Sequence, residues 1–139
     1  MTTKSIKLIA FLVLLVHGIG HFQGVVAGLG IKINDSEPAK SWLLISLGDR
    51  AGRYLSLVLF LLTGVAGILT ALSFKDLLIP FSQWQLLAMI TAFLSTVCLV
   101  IFPNGFAMFF NKAGAILVNL LIYYSIVFGQ HWPSAIFEE

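Results

Sequence analysis

The stretch LIAFLVLLVHGIGHFQGVVAGLGI, residues 8–31, lies between Lys7 and Lys32 and holds 24 residues without a charged side chain. A helix needs about 20 mainly apolar residues to cross a hydrocarbon core about 30 Å thick. Because backbone amides in lipid must be hydrogen-bonded within their own segment, this stretch is predicted to span a membrane as a helix. A cleaved signal peptide is the alternative. However, eleven residues that include two histidines follow the most apolar part, which is long for a cleavage region.

Three more uncharged stretches follow, and they contain 21, 35 and 25 residues. Each holds one span, because even the longest is too short for two spans and a turn. We therefore predict an all-α fold, a polytopic membrane protein that forms one four-transmembrane-helix bundle. The predicted spans are residues 6–29, 54–74, 84–102 and 113–131. A further helix over residues 37–47, capped by Ser36, is predicted to lie on the membrane surface, and an ordered loop is the alternative.

The composition excludes several classes of protein. Hydrophobic residues make up 59% and charged residues 10% of the chain, whereas soluble domains carry about 25% charged residues. So little charge does not cover the surface of a water-soluble globule. A net charge of +2 gives no reason to expect a nucleic-acid partner. The single cysteine excludes an intramolecular disulfide and a thiolate zinc cluster. Since no cofactor motif is present, an enzyme is disfavoured and the cofactor stays unassigned.

The first span carries two histidines on one helical face. At 100° per residue, His17 and His21 share that face with Gly20, Gly24 and Gly28. Small residues at this spacing let helix backbones approach closely in lipid, and ionisable side chains near mid-membrane face a bundle interior. Both arguments predict that the two imidazoles point into the bundle.

Polar side chains on the other spans are predicted to meet the histidines. Counted by helical rise, they lie in the half of the membrane that adjoins the first loop. A cation at the start of the second span lies on the same side, where it either contacts an anionic headgroup or snorkels to the interface. The predicted ligand-binding residues are His17, His21, Thr91, Ser95, Asn119, Tyr123 and Arg53.

Neutral imidazole both donates and accepts hydrogen bonds, so these residues suit an interior pocket for a lipid-like or quinone-like molecule. The alternative is a structural subunit, in which the histidines bond to Asn119, Ser95 or a tyrosine and only pack helices. A metal site is not predicted. Two histidines four residues apart can bind one ion, but no predicted span contains Asp or Glu.

The pattern His17-Gly18-x-x-His21-x-x-Gly24, followed by three short spans, resembles the small four-helix bacterial membrane proteins grouped as DoxX-like. It is more closely similar to uncharacterised bacterial proteins with His-Gly-x-x-His in the first helix. Lys112-x-Gly114 and the following Asn119 are loosely similar as well. The resemblance implies a bacterial inner-membrane protein and, for some DoxX-like relatives, an accessory part beside membrane redox enzymes. It implies no catalytic residues for this chain.

Overall fold

A computed structural model describes residues 3–32 and 40–128, and every regular element within them is helical. Four segments, Lys4–Gly28, Ile45–Phe74, Phe81–Ile101 and Phe109–Val127, are long and apolar enough to cross a membrane. The predicted all-α four-helix bundle is thereby confirmed, and the chain is a multi-pass membrane protein. The helices are α1 (Thr3–Gly20), α2 (Phe22–Gly28), α3 (Gly48–Phe74), α4 (Trp84–Ile101) and α5 (Phe109–Val127).

Three helices begin before the uncharged stretches from which the spans were predicted. α1 begins at Thr3 rather than at Ile6, α3 at Gly48 rather than at Tyr54, and α5 at Phe109 rather than at Ala113. Charged residues mark the edge of the apolar segment, but a helix continues through them into the interface. The last predicted residues of the fourth span, 129–131, lie outside the described residues.

The surface helix predicted over residues 37–47 is not formed where the structure describes that segment. Residues 40–44 are not helical, and only one 3₁₀ turn, Ile45–Leu47, precedes α3. The Ser41 hydroxyl accepts hydrogen bonds from the backbone N–H groups of Leu43 (3.2 Å) and Leu44 (3.0 Å). Such a local side-chain turn competes with helix formation. The predicted cap Ser36 and residues 37–39 lie outside the described residues.

Trp42 holds this loop against the end of α4. Its indole N–H donates to the backbone carbonyl of Val100 at 2.6 Å, one of the last carbonyls of the helix, which lack helical partners. Because Trp42 is 60% exposed, we expect Trp42→Phe to lose little packing. It should lower the free energy of unfolding by about 1 kcal/mol through the lost hydrogen bond. Denaturation by sodium dodecyl sulfate, followed by circular dichroism, measures this change. Leu43→Ala at the exposed neighbouring position is the control, and equal losses would contradict the role of the bond.

α3 is the centre of the bundle, since it packs against α1, α2 and α4. A Cβ placed on Gly18 would lie 2.7 Å from the backbone nitrogen of Ile68 and 2.8 Å from the carbonyl carbon of Gly67. The absence of a side chain at Gly18 therefore lets the α1 and α3 backbones touch, as small residues do in membrane bundles. α5 packs on α4 and contacts α1 more sparsely, and this leaves space between α1 and α5.

The predicted glycine face is only partly correct. Gly24 packs on the fully buried ring of Phe60, and Gly28 packs on Leu57, so both face α3. Gly20 does not, because no described atom other than its own local backbone lies within 4 Å of the place its Cβ would occupy. Gly20 belongs to α1 like His17, but at 100° per residue it lies 60° away from His17, at the edge of the predicted face.

Candidate functional site

The first transmembrane segment is interrupted at His21, which belongs to neither α1 nor α2. The His21 backbone N–H bonds to the Gly18 carbonyl at 3.2 Å, and the Gly24 N–H bonds to the His21 carbonyl at 3.0 Å. Both bonds span three residues instead of four, so the turn is tighter than an α-helix. The His17 carbonyl loses its helical partner in this turn. The His21 ring replaces it, because Nδ1 lies 2.8 Å from the His17 carbonyl oxygen.

His21 starts a chain of hydrogen bonds that crosses the bundle. A carbonyl oxygen only accepts, so Nδ1 of His21 carries the hydrogen. In the neutral ring, the form that a membrane interior favours, Nε2 then accepts from the Ser95 hydroxyl at 2.9 Å. The Ser95 oxygen in turn accepts from Nδ2 of Asn119 at 2.9 Å. His21, Ser95 and Asn119 are all buried, and the chain connects the α1–α2 segment, α4 and α5.

The direction of this chain fixes the orientation of the Asn119 amide. Since Ser95 gives its one hydrogen to His21, it needs a donor from Asn119, and Nδ2 also lies 3.3 Å from the Thr96 hydroxyl. Oδ1 therefore points elsewhere. Neither Asn119 Oδ1 nor Nε2 of His17 has a hydrogen-bond partner within residues 3–32 and 40–128. The two side chains face each other within reach of a hydrogen bond, although its geometry is not ideal, and we call these two atoms the open pair. Buried polar atoms rarely lack partners in folded proteins.

A groove of about 820 Å³ lies between α5 and the α1–α2 segment. Its lining extends from Leu12 to Val26, which corresponds to about 21 Å of helical rise. Both histidines line it, and no Asp, Glu, Lys or Arg among the described residues does so. The walls are apolar and include Leu12, Val16, Ile19, Phe106, Phe110 and Val118.

Two side-chain amides form a hydrogen bond between the two walls of the groove, near its Val26 end. Nδ2 of Asn111 on α5 donates to Oε1 of Gln23 on α2 at 2.6 Å, and both residues line the groove. Sequence reasoning missed Asn111. A polar residue beside Lys112 looks like an ordinary boundary residue, and no local pattern pairs it with a side chain 88 positions away.

Four of the seven predicted ligand-binding residues come together at this groove. His17 and His21 line it. Ser95 and Asn119 lie behind the rings, toward the bundle interior, where the hydrogen-bond chain holds them. The polar pocket predicted from the sequence is thus an apolar groove with a polar inner side.

The other three predicted residues lie elsewhere. The Thr91 hydroxyl is 3.0 Å from that of Thr70 on α3, and the Tyr123 hydroxyl is 3.3 Å from that of Thr96. Arg53 is exposed and lines a separate cavity of about 460 Å³ beneath the first loop. Thr96 on α4 is a second residue that sequence reasoning missed, because only Thr91 and Ser95 were predicted from that span.

The site offers hydrogen bonding and apolar contact rather than charge. In the described part of the chain, no three His, Cys, Asp or Glu side chains are placed to hold a metal ion. The groove is suited to a neutral amphiphile, with hydrocarbon against its walls and a polar group at His17. Compared with known proteins, the chain matches no protein family, no curated protein and no solved structure significantly.

Proposed function

We propose that this protein binds a neutral lipid-like or quinone-like molecule in the groove between α5 and the α1–α2 segment. One observation carries the proposal: a large apolar groove opens beside the first transmembrane segment, and His17 and His21 line it. The volume of about 820 Å³ falls within the roughly 300–1,000 Å³ typical of small-molecule sites. Among the described residues none that lines the groove is charged, which supports a neutral ligand drawn from the membrane.

The two histidines have different roles in this proposal. His21 uses both ring nitrogens in bonds within the protein, so it serves helix packing. This observation also favours the alternative function, a structural subunit of a membrane redox complex, as far as His21 is concerned. His17 differs, because it lines the groove and its Nε2 makes no hydrogen bond of good geometry within the described residues. Following the resemblance in the first helix, we further propose a DoxX-like accessory protein of the bacterial inner membrane, with membrane lipid as a partner.

Filling the groove tests the proposal. Gly114 lines the groove, and no described atom beyond its own local backbone lies within 4 Å of the place its Cβ would occupy. Gly114→Leu should therefore fill the space without disturbing the bundle. Mass spectrometry of molecules extracted from protein purified in nanodiscs should show that the retained ligand falls about tenfold or more, the equivalent of losing 1.4 kcal/mol of binding free energy.

Ala113→Leu is the matched control, because Ala113 is exposed on the same helix and does not line the groove. This variant should retain the ligand at the wild-type level. Equal retention by both variants would contradict ligand binding in the groove. If the wild type holds no molecule beyond bulk lipid, the structural-subunit alternative is favoured.

A further inference from the structure

We infer that the cavity of about 460 Å³ beneath the first loop binds the phosphodiester of a phospholipid headgroup. We call it the loop cavity. Its lining includes Lys40, Asp49, Arg53 and Asn104, and no described residue lines both this cavity and the groove. The inference is therefore independent of the proposed function and concerns a second site.

Two glycines at the start of α3 make room for a bound group. Gly48 and Gly52 both line the loop cavity, and no described atom beyond the local backbone lies within 4 Å of the place that either Cβ would occupy. Gly52 is nevertheless buried, so the open space beside it lies within the fold. The bond from Trp42 to the Val100 carbonyl fixes the first loop, which forms another wall of the cavity.

The loop cavity lies at the level of the lipid headgroups. The apolar part of α3 begins after Arg53, and α4 ends at Ile101. Asp49, Pro103 and Asn104 lie just beyond these limits and line the cavity. Because the polar regions of a bilayer flank a hydrocarbon core about 30 Å thick, residues that directly precede or follow an apolar span lie beside the headgroups.

The charged residues of the loop cavity favour an anion with one negative charge. Lys40 and Arg53 are cations and Asp49 is an anion, so these two cations and one anion give the described lining a net charge of +1. The Arg53 guanidinium forms no ion pair with a carboxylate in residues 3–32 and 40–128. A guanidinium donates two parallel hydrogen bonds to phosphate oxygens. A phosphodiester, which has one negative charge, therefore balances this lining, and basic pockets between membrane helices bind lipid headgroups in this way.

The N-terminus of α3 adds to the attraction for an anion. Gly48 and Asp49, its first two residues, line the loop cavity. Leu47 precedes them as the N-cap and makes no side-chain hydrogen bond to the first turn. Backbone N–H groups at a helix start lack helical partners, and the helix dipole gives this end a partial positive charge. Asp49 offsets part of that charge, which argues against a doubly charged phosphate monoester.

The rim of the loop cavity favours a lipid over a soluble phosphodiester. Trp42 and Ile45 line the cavity and are 60% and 76% exposed. At the level of the headgroups these side chains face the bilayer boundary, where indole rings are favoured. A headgroup bound in the cavity thus leaves its acyl chains beside an apolar rim.

Native mass spectrometry of the full chain in detergent, titrated with dioleoylphosphatidylglycerol, tests the inference. Arg53→Gln should weaken binding of the first lipid about tenfold, because charge-assisted hydrogen bonds to the phosphate are lost. Arg53 is exposed, so this variant is expected to fold. Arg50→Gln is the matched control, because Arg50 is an exposed cation one turn away that does not line the cavity. It should change the affinity by less than about twofold.

Filling the loop cavity is the second test. Gly52→Leu places a side chain in the open space and should lower the affinity for dioleoylphosphatidylglycerol about tenfold as well. Ala51→Leu, at an exposed neighbouring position that does not line the cavity, should bind the lipid like the wild type. Circular dichroism checks that both variants fold. Where Gly52→Leu does not fold, the comparison of Arg53→Gln with Arg50→Gln decides.

The contradicting outcomes are distinct. Equal weakening by Arg50→Gln and Arg53→Gln would show attraction to net charge rather than to a site, and would overturn the inference. Glycerophosphoglycerol, the same headgroup without chains, should bind more weakly, and equal affinity would overturn the lipid assignment in favour of a soluble phosphodiester. Gly114→Leu, which fills the groove, should leave the affinity unchanged. A loss in that variant would place the phospholipid in the groove and overturn the inference, while the neutral ligand of the groove is measured separately.

Discussion

Replacing Gly18 by leucine is expected to prevent α1 from packing on α3, so that no folded bundle forms. Even a single methyl group at this position would lie 2.7 Å from the backbone nitrogen of Ile68, and the carbonyl carbon of Gly67 is 2.8 Å away. Both atoms belong to the backbone of a long helix, so neither moves without moving α3. Overpacking typically costs 1–3 kcal/mol, and we expect Gly18→Ala to lie at the upper end, about 3 kcal/mol.

Intrinsic helix propensity changes stability in the opposite direction, so it does not account for the expected loss in Gly18→Ala. Alanine favours a helix over glycine by about 1 kcal/mol, so any loss of stability in Gly18→Ala must come from the helix contact. Gly20→Leu, two residues along, is the control. That position has open space in the described structure, and its variant should fold. Denaturation in detergent micelles, followed by circular dichroism, measures both variants. Similar stability of the Gly18 and Gly20 variants would contradict the close contact between α1 and α3.

The second large effect is expected for His21→Leu, which should lower the free energy of unfolding by about 3 kcal/mol. The replacement has similar size but removes both ring nitrogens, so it leaves the His17 carbonyl and the Ser95 hydroxyl without their partners. Each buried polar group left in this way costs about 1–3 kcal/mol. The His21 ring also packs edge-on against Phe106, with centroids 5.5 Å apart, and leucine does not reproduce that contact.

His17→Leu is the matched control for His21→Leu. The two rings are neighbours, with centroids 4.8 Å apart, and both side chains are buried. Nε2 of His17 has only a poorly aligned contact with Asn119, so the free energy of unfolding should fall by about 1 kcal/mol or less. The same denaturation experiment compares the two variants. Equal losses would show that both histidines are structural and would remove the distinction between them.

The number of spans and their approximate positions along the chain could be predicted from the sequence, because each span forms for reasons within its own stretch of residues. Each uncharged stretch is apolar enough for the hydrocarbon core whatever its neighbours are. For the same reason, the inward direction of the histidines could be predicted from one helix, and His17 and His21 are both buried. One helix does not decide the surroundings of Gly20, which lies 60° from His17 at the edge of the predicted face. Only the packed bundle leaves that position open among the described residues.

The details of the site depend on distances between segments far apart in the chain. Residues 17–21 alone indicate two equivalent imidazoles. Only the packed bundle places Ser95 beside the His21 ring and a groove beside both imidazoles, so that both ring nitrogens of His21 are bonded within the protein. The bond between Gln23 and Asn111 is likewise absent from any sequence pattern. Span formation depends on the free energy of transfer into lipid, which sums over residues, whereas a hydrogen bond requires two particular atoms to meet within about 3 Å.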